Sequence, residues 1–124
     1  MLKMKEITNV VFVCLANQNR SPTAEDVFKE TLNKNNVSGY EVKSAGIDPF
    51  GGELLNPRLF EWADIVFALD TDIYKAIKKH YWRYKQPEKI HNLKIPDVYY
   101  KDDTELRERL YKKLNNYLKE KGEI

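Results

Sequence analysis

Cysteine is nearly absent from this sequence, which contains one such residue, Cys14, among 124. A single cysteine excludes a disulfide within the chain, and it excludes a zinc site built from several cysteines. A lone thiol can be an inert, buried side chain, or it can be a nucleophile if its surroundings stabilise the thiolate. The residues around Cys14 therefore decide what it does.

Long apolar runs and a strong charge imbalance are missing as well. No apolar run approaches the roughly 18 residues that a membrane span needs, and the run near the N-terminus is too short for a signal peptide. The net charge of +2 is too small to indicate nucleic acid or a membrane surface as a partner. We expect a cytoplasmic monomer without either kind of partner.

Short apolar segments of strand type alternate with amphipathic helical segments along the chain. Strands are predicted at about residues 9–13, 40–44, 65–69 and 90–95. Helices are predicted over 22–32, from Pro57, after a cap at Thr71, and from a capping box at 102–105. This alternation predicts an α/β fold in three layers, a four-stranded parallel sheet flanked by helices on both faces. Residues 1–124 are expected to form one domain.

The most informative stretch joins the first strand to the first helix and reads CLANQNRS over residues 14–21. Ser21 suits a helix N-cap, Pro22 suits the first helical position, and Glu25 and Asp26 suit the positive end of the helix dipole. Unpaired backbone N–H groups converge between a strand end and a helix start, so anions bind there. The stretch is predicted to be an active site.

The residue types in this loop fit phosphoryl transfer through a thiolate. Arg20 can hold two phosphate oxygens in a fork while Cys14 attacks phosphorus, which gives a phosphocysteine intermediate. A loop that wraps an anion usually needs positive φ angles, and glycine is absent between Cys14 and Ser21. Asn17 and Asn19 tolerate that conformation. The alternative is an inert thiol with Arg20 in a surface ion pair.

The sequence resembles the low-molecular-weight protein tyrosine phosphatases, and it is most similar to their short prokaryotic branch. The resemblance is carried by CLANQNRSPTAE at residues 14–25, SAG at 44–46, WADIVF at 62–67 and IPDVYY at 95–100. It implies a four-stranded parallel sheet flanked by helices and a metal-free, cofactor-free hydrolysis of phosphate monoesters. The implied substrate is a phosphotyrosine-containing protein or a small aryl phosphate.

The resemblance also implies roles for individual residues. Cys14 would be the nucleophile, Arg20 the phosphate clamp and Asp97 the general acid. Asn17 would brace the loop, and Ser21 would form a hydrogen bond with the thiolate. The implied phosphate-binding loop consists of Leu15, Ala16, Asn17, Gln18, Asn19, Arg20 and Ser21.

The aromatic pocket that would hold the substrate ring is implied in the same way. Phe50 would form one wall, and Tyr99 and Tyr100 would form the opposite wall.

Three positions depart from the family pattern. Ala16 replaces a glycine, Asn19 replaces a second cysteine, and proline precedes Asp97 instead of following it. The third departure leaves Asp102 and Asp103 as alternatives for the acid. Two other functions also stay open: an arsenate reductase that uses external thiols, and a non-catalytic phosphate-binding or interaction module.

Overall fold

The computed structural model describes residues 7–124, so residues 1–6 of the predicted domain lie outside the described part. The strands are β1 (Thr8–Cys14), β2 (Tyr40–Gly46), β3 (Ile65–Ala68) and β4 (Ile90–Asn92). The helices are α1 (Arg20–Lys34), α2 (Pro57–Trp62), α3 (Thr71–His80) and α4 (Thr104–Glu120). Two 3₁₀ turns, Trp82–Tyr84 and Pro87–Lys89, connect α3 to β4.

All four strands are parallel, in the order β2-β1-β3-β4. Alternate residues of the central strand β1 point to opposite faces of the sheet. Val10 and Phe12 join a core with the buried residues of α1 and α4, whereas Val11 and Val13 join a second core with those of α2 and α3. The predicted three-layer architecture is confirmed.

Packing of aromatic and leucine side chains stabilises the face that α1 and α4 cover. The Phe12 ring lies 5.7 Å from that of Phe28 and 5.0 Å from that of Phe67. Leucines at every fourth position of α4 are fully buried against this layer: Leu106, Leu110, Leu114 and Leu118. Burial of each such side chain contributes about 1.5–3 kcal/mol, so the last helix is integral to the core.

Several predicted helix starts differ from the structure. Asn19, not Ser21, precedes α1, and Glu25 and Asp26 lie beyond its first turn. The reason is that the Ser21 hydroxyl is used by the Cys14 side chain instead of capping the helix. Asp70 caps α3 in place of Thr71, because a carboxylate one position earlier accepts from the amide of Ile73.

Strand β4 is shorter than predicted, since it ends at Asn92 instead of continuing to residue 95. Lys94 adopts a positive φ of 56°, and its amide donates to the Asn92 side chain. This turn breaks the extended conformation and directs Ile95 toward the end of β3, where its amide donates to the carbonyl of Leu69. No helix among the described residues is long and apolar enough to cross a membrane.

Candidate active site

The Cys14 loop (residues 14–21) lies at the carboxyl end of the central strand. Cys14 ends β1, and Arg20 begins α1. The chain leaves β1 for β2 on one side, while β3 lies on the other, so Cys14 is at the point where the strand order reverses. Ligands of open parallel sheets bind at this kind of point.

Polar groups surround the sulfur of Cys14. The Asn17 amide donates to Sγ at 3.2 Å, and the Ser21 Oγ lies 3.0 Å from Sγ. The Ser21 hydroxyl is also 2.9 Å from Asn17 Oδ1 and 3.2 Å from the carbonyl oxygen of Ala45. Cys14 itself is 3% exposed and also packs with the apolar core on the face that α1 and α4 cover, so polar contacts and apolar packing meet at this side chain.

Positive φ occurs at one of the two asparagines expected to supply it. Asn17 has a φ of 55°, which turns its amide toward Sγ and its side chain toward Ser21. Asn19 has a φ of −120° and no side-chain cap bond to the helix. Its side-chain oxygen instead accepts from the amide of Lys101.

A second segment, the brace segment (residues 46–54), holds the Cys14 loop from outside. The amides of Ile47 and Asp48 each donate to the carbonyl of Leu15 at 2.8 Å, and the amide of Gly52 donates to that of Ala16 at 2.7 Å. A Cβ at Gly51 would lie 2.3 Å from the Ala16 carbonyl oxygen. The sequence analysis did not identify this brace, although the adjacent glycines 51 and 52 were a signal for such close contact.

Arg20 is buried, with 1% of its surface exposed. Its Nη1 donates to Asp70 Oδ2 and to the carbonyl oxygen of Ile95, both at 2.7 Å. Its Nε lies 3.4 Å from Asp97 Oδ1. The guanidinium is therefore fixed by two parts of the chain, Asp70 and the stretch that contains Ile95 and Asp97, and not by a surface ion pair. Asp70 was missed from the sequence, and its position directly after β3 was the available signal.

The three candidate acids occupy different surroundings. Asp97 is half-exposed beside Arg20, whereas Asp103 caps α4 by accepting from the amides of Glu105 and Leu106. Asp102 is paired with Lys101 and Arg107. The hydrogen bond from Lys101, with a smaller contribution from Arg107, lowers the pKa of Asp102. A general acid must carry a proton, so these contacts disfavour Asp102.

The three predicted pocket residues differ in solvent exposure. Phe50 and Tyr100 are 93% and 82% exposed, but Tyr99 is only 9% exposed and packs with the core. The Tyr99 hydroxyl donates to the Glu105 carboxylate, and this bond raises the pKa of Tyr99. Tyr99 therefore packs with the core and contacts Glu105 and Arg109 of α4. Phe50 and Tyr100 stay candidates.

Within residues 7–124, no three His, Cys, Asp or Glu side chains gather in a way that could hold a metal ion. The chemistry that this site offers is carried by Cys14, Arg20, Asp97 and the backbone amides of the loop. A thiol and a guanidinium at the two ends of one short loop, with a carboxyl group beside the guanidinium, are groups that can bind an oxyanion and attack it.

Residues 9–61 match the family model described as low molecular weight phosphotyrosine protein phosphatase. The resemblance inferred from the sequence is thereby confirmed, and the matched part contains both the Cys14 loop and the brace segment. No curated protein sequence matches the chain significantly.

Solved structures share the fold over nearly the whole chain. A mutant of YwlE from Bacillus subtilis is 23% identical, with a TM-score of 0.77 over 93% of this chain and 99% of that one. The low molecular weight protein tyrosine phosphatase of Streptococcus pyogenes is 20% identical, with a TM-score of 0.77 over 92% and 93%. The Drosophila arginine phosphatase is 19% identical, with a TM-score of 0.78 over 90% and 96%. At these identities the likeness establishes the fold.

Proposed function

We propose that this protein hydrolyses phosphate monoesters through a phosphocysteine intermediate on Cys14. The proposal starts from the match of residues 9–61 to the family model of low molecular weight phosphotyrosine protein phosphatases. The observation that carries the proposal is the pairing of two contacts. The Cys14 sulfur accepts from the Asn17 amide, and the neighbouring Arg20 guanidinium is locked in place by Asp70.

In the first step, the loop amides and Arg20 bind the phosphate oxygens, and the Cys14 thiolate attacks phosphorus. The S–P bond forms as the bond from phosphorus to the ester oxygen breaks, and Asp97 gives its proton to the leaving oxygen. Two contacts support this step, because the backbone amide of Asn17 donates to the sulfur and Ser21 Oγ lies 3.0 Å from it.

In the second step, the Asp97 carboxylate takes a proton from a water molecule that attacks the phosphocysteine. The S–P bond breaks, the thiolate returns, and inorganic phosphate leaves. Because Asp97 is 54% exposed in its side chain, water can reach it. No bound metal is needed in either step, since Arg20 and the amides carry the positive charge that the transition state requires.

The proposed substrate is phosphotyrosine in a protein, or a small aryl phosphate. The exposed aromatic side chains of Phe50 and Tyr100 support this choice, since an aryl ring can stack on them. The chain contains a single cysteine, so arsenate reduction would require external thiols. A cytoplasmic location, a monomeric state and the absence of nucleic-acid or membrane partners stay predictions.

The test measures phosphate release from p-nitrophenyl phosphate, a phosphotyrosine peptide and a phosphoarginine peptide, with a metal chelator present. The phosphoarginine peptide is included because several solved structures of this fold are described as arginine phosphatases. We expect the wild type to act on the two aryl substrates and Cys14→Ser to be inactive. Arg20→Lys should lose at least about 100-fold in kcat/KM, because lysine cannot form the fork.

Arg58→Lys serves as the matched control, because Arg58 lies on the exposed side of α2 and should tolerate the same substitution. Turnover by Cys14→Ser would contradict the mechanism. Exclusive release from the phosphoarginine peptide would retain the mechanism and replace the substrate. Arsenate reduction with external thiols but no phosphate release would favour the reductase, and binding of phosphate without turnover would favour a non-catalytic module.

A further inference from the structure

Residues 96–103, here the Asp97 segment, lie between β4 and α4 and form neither helix nor strand. The segment is nevertheless fixed at both ends. At the first end, the amide of Ile95 donates to the carbonyl of Leu69, and the carbonyl of Ile95 accepts from Arg20 Nη1, both at 2.7 Å. Asp97 follows two positions later, so this anchor fixes where the segment begins.

At the second end, two side chains from the start of α1 bind backbone amides of the segment. Asn19 Oδ1 accepts from the amide of Lys101 at 3.1 Å, and Thr23 Oγ1 accepts from the amide of Asp102 at 2.9 Å. The Thr23 hydroxyl in turn donates to the carbonyl oxygen of Asn19 at 2.7 Å. Asn19 and Thr23 are thus joined to each other and to the segment.

We propose that Asn19 and Thr23 are positioning residues that hold the Asp97 segment against the Cys14 loop, so that Asp97 stays beside Arg20. The inference rests on the proposed function, since it concerns the acid of that reaction. Both anchors of the segment depend on side chains from residues 19–23, which also contribute the phosphate clamp. A displacement of the Cys14 loop should therefore displace the Asp97 segment as well.

The exposed ion pairs of the segment cannot supply this positioning. Lys101 pairs with Asp26 and Asp102, and Asp102 pairs with Arg107, but these side chains are between 31% and 49% exposed. Such pairs contribute little, because solvent screens them and long side chains lose freedom when they form. The Thr23 hydroxyl is different, since Thr23 is fully buried and its bond to the Asp102 amide is partly buried.

The backbone conformation of Asp102 is also stabilised by a contact from outside the Asp97 segment. Its φ of 61° lies in the left-handed region, which residues with a Cβ seldom adopt, although aspartate tolerates it better than most. The bond from its amide to Thr23 is that contact. The buried ring of Tyr99 fixes the segment to α4 independently, so loss of the Thr23 bond should shift the segment without unfolding it.

The test compares Asn19→Ala, Thr23→Val and Thr23→Ser with the wild type. Thr31→Val is the matched control, because Thr31 is also buried in α1 and its hydroxyl also donates to the carbonyl four residues earlier, but it does not contact the Asp97 segment. Turnover is measured with phenyl phosphate, whose poor leaving group needs a proton from the acid, and with p-nitrophenyl phosphate, whose good leaving group needs it less.

We expect Thr23→Val and Asn19→Ala to lower kcat for phenyl phosphate about tenfold or more, with a smaller loss for p-nitrophenyl phosphate. Inhibition of Thr23→Val by inorganic phosphate should stay close to the wild-type value, since Thr23 lies outside the Cys14 loop. Thr23→Ser should restore both activities. Hydrogen exchange at the amides of Lys101 and Asp102 should be faster in Thr23→Val and unchanged in Thr31→Val.

Equal losses on the two esters, or a loss in Thr31→Val as large as that in Thr23→Val, would overturn the positioning role and leave the proposed function intact. Unchanged exchange at Lys101 and Asp102 would overturn it as well. A wild type that hydrolyses neither ester would overturn the proposed function and this inference together, so the two failures are distinguishable.

Discussion

The carboxylate of Asp70 performs two tasks, since one oxygen accepts from Arg20 Nη1 at 2.7 Å and the other accepts from the amide of Ile73 at the start of α3. Arg20 is buried, and Asp70 is the nearer of its two carboxylate partners. The clamp for phosphate and the beginning of a helix are therefore set by the same side chain.

Substitutions at Asp70 should separate these two tasks. Asp70→Asn keeps an oxygen for the cap but removes the charge, so we expect kcat/KM to fall about tenfold or more as Arg20 loses its orientation. Asp70→Ala should lose the same activity and a further ~1 kcal/mol of unfolding free energy, because the cap is lost too. Kinetics and urea denaturation measure the two effects.

Asn56→Ala is the control for cap loss, because Asn56 accepts from the amide of Leu59 at the start of α2. It should lose stability without loss of kcat/KM. Wild-type kinetics in Asp70→Asn would show that Arg20 is held well enough by its other partners.

Asp97 is predicted to be the general acid. Asp97→Asn should lower kcat for phenyl phosphate about 100-fold, because the leaving oxygen loses its proton donor, and should affect p-nitrophenyl phosphate less. Asp103→Asn is the control, since asparagine caps a helix as well as aspartate does. An active Asp97→Asn together with an inactive Asp102→Asn would reassign the acid to Asp102.

The close approach of Gly51 to Ala16 should make this position intolerant of a side chain. A methyl group on Gly51 would lie 2.3 Å from the Ala16 carbonyl oxygen, so Gly51→Ala must displace the Cys14 loop. We expect a loss of about 1–3 kcal/mol in stability and at least about tenfold in kcat/KM. Denaturation and steady-state kinetics measure both effects.

Gly122→Ala is the control for Gly51→Ala. Gly122 has a φ of +77° and no atom within 4 Å of a built Cβ, so alanine should cost about 1 kcal/mol through backbone strain alone. Its kcat/KM should equal that of the wild type. Full activity in Gly51→Ala would mean that the brace segment does not fix the loop.

Oxidation should inactivate the protein in a way that a reductant only partly reverses. The chain contains no second cysteine to form a protective disulfide with Cys14. After peroxide treatment we expect mass spectrometry to find sulfinic or sulfonic acid on Cys14, or a mixed disulfide if a small thiol is present. Inorganic phosphate should slow the reaction by covering the sulfur. Complete recovery with dithiothreitol and no adduct would contradict this prediction.

His91 should make stability depend on pH. Burial, with a smaller effect of the Lys121 charge, lowers the pKa of His91. The folded state therefore resists protonation, and the unfolded state takes up the proton as the pH falls through the ordinary histidine pKa. The free energy of unfolding should be highest above that pKa and should decrease between about pH 7.5 and 5.5.

His91→Gln should flatten this decrease, as measured by urea denaturation at several pH values. The exposed His80 offers the matched control His80→Gln, which should keep the wild-type slope. An unchanged slope in His91→Gln would assign the pH dependence to other groups.

The parts of the fold that were predictable follow from local pattern. Strand β1 has a continuous apolar run, and α4 has leucines spaced four residues apart. Both patterns involve residues that are close in sequence, so both elements were predicted. Strand β4 was predicted too long, because apolar character at Leu93 and Ile95 does not reveal the positive φ at Lys94 between them. Local apolarity describes burial and not the backbone angle.

The site was predictable where its residues are close in sequence. Cys14, Asn17 and Ser21 lie within one loop, and their contacts match the expected arrangement. Asp70 was missed, because its partner Arg20 is 50 positions away and only the sheet order brings them together. Burial of Tyr99 was missed for the same reason, since α4 supplies its surroundings.

The brace segment limits how this surface can be redesigned. Phe50 projects into solvent, so a mutant library could vary it freely in a search for altered substrate choice. Positions 51 and 52 offer no such freedom, because their backbone lies against the backbone of Ala16 and Asn17. Diversity should therefore be concentrated at position 50, with residues 51 and 52 left as glycine.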